Sequence, residues 1–269
     1  MKISIITPTF NSEANILKNV NSILSQTYKN FEQILIDNES HDRTLSMAKE
    51  AYRIKNSSEK LLIIREKDKG IAEAFNKGID ASSGDIIGIL NSDDYYYNEM
   101  VLEKIADTFE KEDILYVHGD LYFDDPVYGS NVRIPLMCSI TKALPFNHPT
   151  MFFRRKVYNA YGFFDSEYSY AMDFEFICRL VKKVDDFYRK GIYIKGVPLV
   201  TMAAGGVSWK NELASLKETQ RALKKYGFWN FDAKKSYIGR IVRTKFKYWF
   251  SAIKMERVVM IWRNRKWGN

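Results

Sequence analysis

Glycine is absent from the segment behind the first apolar run, where Thr7 to Ser12 reads Thr-Pro-Thr-Phe-Asn-Ser. A loop that cradles a triphosphate at that point is built on glycine, so a nucleotidyl-transferring site is excluded there. Cysteine is scarce: Cys138 and Cys178 are the only two in 269 residues. They lie far apart, show no zinc-type spacing, and are expected to be reduced. No apolar stretch approaches the roughly 20 residues of a bilayer span. The run Ile3 to Ile6 behind a single Lys is cut off by Thr7-Pro8, which is too short for a secretory signal and reads as a strand. There is no internal repeat. The expected location is the cytosol, or the inner face of the cell membrane as a peripheral protein.

Acidic charge is scarce in one region only. From Trp209 onward there are 16 Lys/Arg against four Asp/Glu, whereas the remainder holds 25 basic and 29 acidic residues. A mildly acidic body therefore precedes a strongly basic tail, and the tail is expected to have a separate task. The expected organisation is a nucleotide-binding half over residues 1–98, an acceptor-binding half of the same domain over 99–208, and a basic helical tail over 209–269.

What is present is a series of short Ile- and Leu-rich runs. Ile3 to Ile6, Gln33 to Ile36, Leu61 to Ile64 and Ile86 to Leu90 are each bounded by turn residues and read as buried strands. The intervening segments are long enough for crossover helices, which predicts parallel pairing. Ser12 is placed to cap the first helix and Asp42 the second, and Gly70 opens the third. Tyr97 to Lys111 reads as a helix, Ile114 to His118 and Leu121 to Phe123 as strands broken by Gly119-Asp120, and a helix is expected near Asp173. In an open α/β sheet, ligands sit beyond the carboxyl ends of the strands. That edge would collect Thr7, Pro8, Thr9, Asp37, Arg65, Asp68 and the run Asn91-Ser92-Asp93-Asp94. Adjacent carboxylates there suit a hard divalent cation, which usually takes one or two of them together with substrate phosphates.

These stretches together resemble the family 2 glycosyltransferases of the GT-A fold, most closely those of bacterial polysaccharide biosynthesis. The resemblance rests on Thr7-Pro8-Thr9-Phe10-Asn11, Ile36 to Thr44, Asp68-Lys69-Gly70, Asn76-Lys77-Gly78 and Leu90 to Asp94. It continues through His148-Pro149-Thr150, Gly162 to Asp165 and Ala171 to Glu175. It covers roughly residues 1–210 and implies a Rossmann-like, mostly parallel central sheet flanked by helices, with the basic amphipathic tail outside the shared pattern.

The implied activity is inverting transfer of a sugar from a nucleotide diphosphate donor to a hydroxyl of a glycan or lipid-linked acceptor. Asp37 would accept the imide N–H of uracil or thymine, so UDP and dTDP both remain open; an Asp there also caps turns. Thr7, Pro8 and Thr9 would line the nucleotide pocket, with Arg65, Asp68, Asn91 and Ser92 near the base or ribose. Asp93 would bind Mn²⁺ or Mg²⁺, supported by Asp94, although the family's usual Asp-x-Asp has Asn91 in its first place. Asp173 is the expected general base and Glu175 the second choice. Asp120, His148, Gly206 and Ser208 are further candidates for acceptor or loop contacts. The Asn91 departure keeps a non-catalytic nucleotide-binding or scaffold subunit as the alternative.

In the tail, Tyr237, Ile238, Ile241, Val242, Phe246, Trp249, Phe250 and Ile253 recur every three or four residues, with Lys and Arg between them. An anionic membrane surface met through residues 234–269 is the expected partner, with core packing or a homodimer contact as alternatives. Nucleic acid is not expected, because no recognised motif accompanies the charge.

Overall fold

Both faces of the first strand are covered in the computed structural model, which describes residues 1–125, 129–205 and 211–252. β1 (Ile3–Thr9) carries Ile3, Ile5 and Ile6 at zero exposure. Along the chain follow α1 (Ile16–Leu24), β2 (Phe31–Asp37), α2 (Thr44–Ile54), β3 (Leu61–Arg65), α3 (Ile71–Ala81) and β4 (Ile86–Ile89). β1 pairs in parallel with β2 and β4, and β2 with β3, so each connecting helix is a crossover.

The second half adds β5 (Tyr95–Tyr96), α4 (Val101–Lys111), β6 (Tyr116–Gly119), β7 (Leu121–Asp124), β8 (Asn131–Arg133) and β9 (Phe152–Arg154). Then come α5 (Arg155–Tyr161), α6 (Met172–Lys183), β10 (Gly191–Ile194), β11 (Val200–Ala203), α7 (Glu212–Lys225) and α8 (Phe231–Ala252). Seven strands form the main sheet in the order β10-β6-β9-β4-β1-β2-β3, and β5-β11-β7-β8 form a smaller one. Only β9 runs antiparallel in the main sheet.

Strand alternation divides the core into two layers. Ile3, Ile5 and Phe31 face α4 and Ile23 of α1, while Leu35 packs on Ile16, Val20, Ala48 and Tyr52. Ile6, Ile34, Ile36 and Ile87 face the other way, toward α3 and α6. The antiparallel neighbour explains one glycine: a Cβ on Gly88 would lie 2.2 Å from the Phe152 ring.

Three local expectations are corrected. The helix expected from Tyr97 begins at Val101, because Tyr95 and Tyr96 pair with Thr201 and Val200 in the smaller sheet. Ser12 does not cap α1 with its side chain. Its carbonyl accepts the Asn15 and Ile16 N–H groups, while its hydroxyl meets Ser92 Oγ at 2.9 Å. Gly119-Asp120 is more than a break, since the chain there leaves the main sheet and enters the smaller one.

Candidate active site

The register of the parallel strands gathers the first cluster. Thr9 is opposite Asp37, and Asp37 opposite Arg65, at the carboxyl ends of β1, β2 and β3. Asp37 is fully buried and accepts from Thr9 Oγ1 at 3.0 Å, Ser40 Oγ at 2.5 Å and the Ser40 N–H at 2.9 Å. Arg65 Nε stands 3.6 Å from its other oxygen, with the Arg65 side chain 52% exposed. The Asp37 carboxylate is thus held by Thr9 and Ser40, with Arg65 beside it. Asp68 sits on the same edge, held by Asn38 Oδ1 through its N–H at 3.0 Å and accepting the Gly70 N–H at 3.0 Å. Burial pushes the Asp68 carboxyl up.

The expected pocket wall is only partly realised. Thr7 and Thr9 share one face of the strand: Thr7 is fully buried, with Gln33 Nε2 donating to its hydroxyl at 3.0 Å, and Thr9 is spent on Asp37. Pro8, between them, is the residue of the three that stays half-buried at the surface. Asp42 accepts from the Thr44 N–H at 2.9 Å, so it holds the start of α2, as its sequence position implied.

The Asn91–Asp94 loop follows β4 and closes on itself. The Asp94 N–H donates to Asn91 O at 3.0 Å, and Asn91 Nδ2 to Asp94 Oδ2 at 3.2 Å. Asn91 Oδ1 is buried and has no hydrogen-bond partner among the described residues. Burial pushes the Asp93 carboxyl up, and burial together with the Asp93 charge pushes Asp94 well up. Neither makes an ion pair among the described residues, where no group of three or more His, Cys, Asp or Glu forms a complete metal cage. Two adjacent carboxylates without counter-charge and an orphaned amide oxygen nonetheless fit a hard divalent cation that draws its remaining ligands from phosphate.

Sequence reasoning missed what holds this loop in place. Asn19 of α1 donates from Nδ2 to both Asn91 O and Asp94 O at 2.9 Å. Its Oδ1 accepts from Gln33 Nε2 at 2.9 Å, and Gln33 Oε1 accepts from the Tyr52 hydroxyl at 2.8 Å. The available signal was a polar residue on the face of α1 that carries Ile16, Val20 and Ile23.

The second cluster reaches the same edge because β9 is antiparallel. Phe152 of β9 pairs with Gly88 and Val117, so the residues just before β9 lie beside the carboxyl ends of β4 and β6. His148 begins the 3-10 turn there and packs against the Phe75 and Phe164 rings, with centroids at 6.4 and 6.1 Å. Burial presses its imidazole pKa down, and the charge of Asp173 opposes that. Asp173 lies in the first turn of α6, half-buried, with its Oδ1 accepting the Phe174 N–H at 2.8 Å. It forms no ion pair among the described residues.

Glu175 is not a base candidate in this structure. Its side chain is fully buried, Arg179 Nη2 lies 2.6 Å from Oε2, and Oε1 takes Lys225 Nζ at 3.4 Å and the Tyr226 hydroxyl. Asp120 is likewise buried and occupied, by Tyr193 Oη at 2.5 Å and the Gly196 N–H at 3.3 Å, so it braces the crossing between sheets rather than facing an acceptor. Gly206 and Ser208 lie outside the described residues.

Comparison with known proteins bears on the family and the fold. Residues 4–178 match the model of the family described as glycosyl transferase family 2. A PGL/p-HBAD biosynthesis glycosyltransferase of Mycobacterium bovis is 30% identical over 177 residues, which is 65% of this chain and 68% of that relative. The crystal structure of S. aureus TarS 1–349 in complex with UDP-GlcNAc superposes with a TM-score of 0.64 at 20% identity, covering 89% of this chain and 72% of that one. The mannosyltransferase PcManGT from Pyrobaculum calidifontis, in complex with GDP-Man and Mn²⁺, gives 0.61 at 14% identity, covering 97% and 80%.

Proposed function

The chain belongs to glycosyl transferase family 2, and from that premise we propose that it transfers a sugar, with inversion, from a UDP- or dTDP-sugar to a hydroxyl of a glycan or lipid-linked acceptor in cell-surface polysaccharide assembly. The observation that carries this reading is the meeting of two clusters on one sheet edge. Asp93 and Asp94 lack counter-charge there among the described residues, and Asp173 stands beside His148 on a separate helix.

Mn²⁺ or Mg²⁺ held by Asp93, with Asp94 and Asn91 Oδ1 beside it, would supply Lewis-acid stabilisation of the leaving diphosphate. Asp37 and Arg65 form the base end of the pocket, together with Pro8 and Asp68. As the acceptor oxygen bonds to the anomeric carbon, the bond from that carbon to the diphosphate breaks, and the acceptor proton passes to the Asp173 carboxylate. A general base must be ionised and within hydrogen-bond reach of that proton. Asp173, half-buried in the first turn of α6, is the residue placed for that contact.

Calorimetric binding of UDP, dTDP, GDP and CMP, each with and without Mn²⁺, tests the assignment. Metal-dependent binding of UDP or dTDP is the expected result; binding of GDP in preference to both would overturn the UDP or dTDP assignment. The scaffold reading draws on Asn91, which places an uncharged amide where the family usually has a carboxylate. It predicts donor binding without turnover of any UDP- or dTDP-sugar.

A further inference from the structure

Helix α8 turns an apolar stripe away from the body on which it packs. Ala233 and Thr244 are buried against the domain, and Tyr237 meets the Trp229 ring at 5.4 Å. On the opposite side Phe231, Ile238, Val242 and Phe246 recur at helical spacing, and Phe246 is 54% exposed. Ile134, Leu136 and Met137, on the segment facing α8, are also exposed. Between the two runs an open groove of about 740 Å³.

The groove is strongly basic. Lys142, Lys235, Arg240 and Arg243 line it against one carboxylate, Asp232. Ser236 Oγ donates to Lys142 O and ties the two walls together. Glu212 also acts on Arg240, but its oxygens are taken by Thr244 Oγ1 at 2.9 Å and Lys247 Nζ at 2.8 Å. Lys142, Lys235 and Arg240 form no ion pair among the described residues.

We propose that this face docks on an anionic phospholipid surface, with lipid phosphates in the groove and Leu136, Met137, Ile238, Val242 and Phe246 entering the boundary between headgroups and acyl chains. An anionic bilayer surface presents phosphate and hydrocarbon together, which matches cations and apolar side chains set side by side. A soluble polyanion would satisfy only the cations. A second copy joined through the same patch would bring two basic grooves together. No helix of the described residues is long and apolar enough to cross a membrane, so the contact is interfacial.

The test is co-sedimentation of the full chain with vesicles of phosphatidylcholine alone and of phosphatidylcholine with phosphatidylglycerol at roughly three to one. Binding to the anionic vesicles only, weakening as salt rises, is expected. At about five-fold per cation, the double substitution Lys235→Gln with Arg240→Gln should weaken it roughly 25-fold. Phe246→Ser should weaken it without altering the salt dependence. Circular dichroism melting checks the fold of each variant, and Lys142→Gln on the other wall replaces any α8 substitution that lowers the melting temperature. Equal binding to neutral and anionic vesicles would overturn the proposal, as would unchanged binding of the charge variants. A concentration-dependent dimer lost in the double variant would also overturn it, in favour of a second copy. None of these readouts depends on donor binding or turnover.

Discussion

Asn19 Nδ2 donates at 2.9 Å to two carbonyls at once, those of Asn91 and Asp94. One buried amide on α1 therefore fixes both ends of the loop that carries the acidic pair. Its other end is anchored through Gln33 to Tyr52, so the first two helices and β2 all bear on the position of that loop. Satisfied buried networks of this kind restrict a loop to one conformation.

Asn19→Leu should expose that dependence. It removes both donors: Asn91 O keeps the Asp94 N–H, whereas Asp94 O loses its Asn19 partner, which costs about 1–3 kcal/mol for a group that water cannot reach. Urea unfolding should show a loss in this range. Calorimetry should show Mn²⁺-dependent UDP affinity falling more than metal-independent affinity. Equal losses in both would mean that Asn19 serves the fold alone.

Asp173→Asn should lower turnover by about 10²–10⁴ while leaving the dissociation constant of UDP unchanged. A radiolabelled sugar-transfer assay read beside donor calorimetry separates the two effects. Retained turnover in a folded variant would rule out Asp173 as the base.

The acidic pair should make metal binding depend on pH. Burial raises both carboxyls, so the folded protein holds protons there more tightly than the unfolded chain does. The sign follows: their contribution to stability is present below the raised pKa and lost as pH rises through it. A cation competes with those protons, so apparent Mn²⁺ affinity should increase as pH rises above the ordinary carboxylate range. The same series in Asp93→Asn should be weaker and flatter. An affinity for Mn²⁺ that is independent of pH would separate the metal from this pair.

Glu175 should behave as a structural residue. Glu175→Ala leaves Arg179 and Lys225 without their shared carboxylate, and breaking a buried pair from one side costs about 3–5 kcal/mol. Thermal unfolding measures that loss. Glu175→Gln, which keeps the shape, should retain transfer wherever it remains folded, and complete inactivity in a folded Gln variant would restore Glu175 to the chemistry.

The sequence by itself determined the parallel frame and the placing of its loops. Short Ile-rich runs separated by helical segments read as parallel strands, which deliver Asp37, Arg65 and Asp93 to one edge, although β3 at the sheet edge is not buried as expected, with Leu62 42% exposed. The start of α6 beside Asp173 was equally legible, because helical spacing from Phe174 onward is local information. What each polar side chain does at that edge was decided by tertiary structure. Thr7 and Thr9 occupy neighbouring strand positions of similar character, yet Thr7 is bound by Gln33 and Thr9 by Asp37. Glu175 and Asp173 stand two residues apart, and the turn of the helix sends one into a buried cluster with α7 and leaves the other beside His148. The return of β9 antiparallel to β4, which brings His148 to the carboxyl end of β4, has no local signature in a strand of three residues. Such choices depend on partners far away in the chain. The physical cause is burial: a polar group inside the protein must find a hydrogen-bond partner, and only the assembled fold determines which one lies within reach.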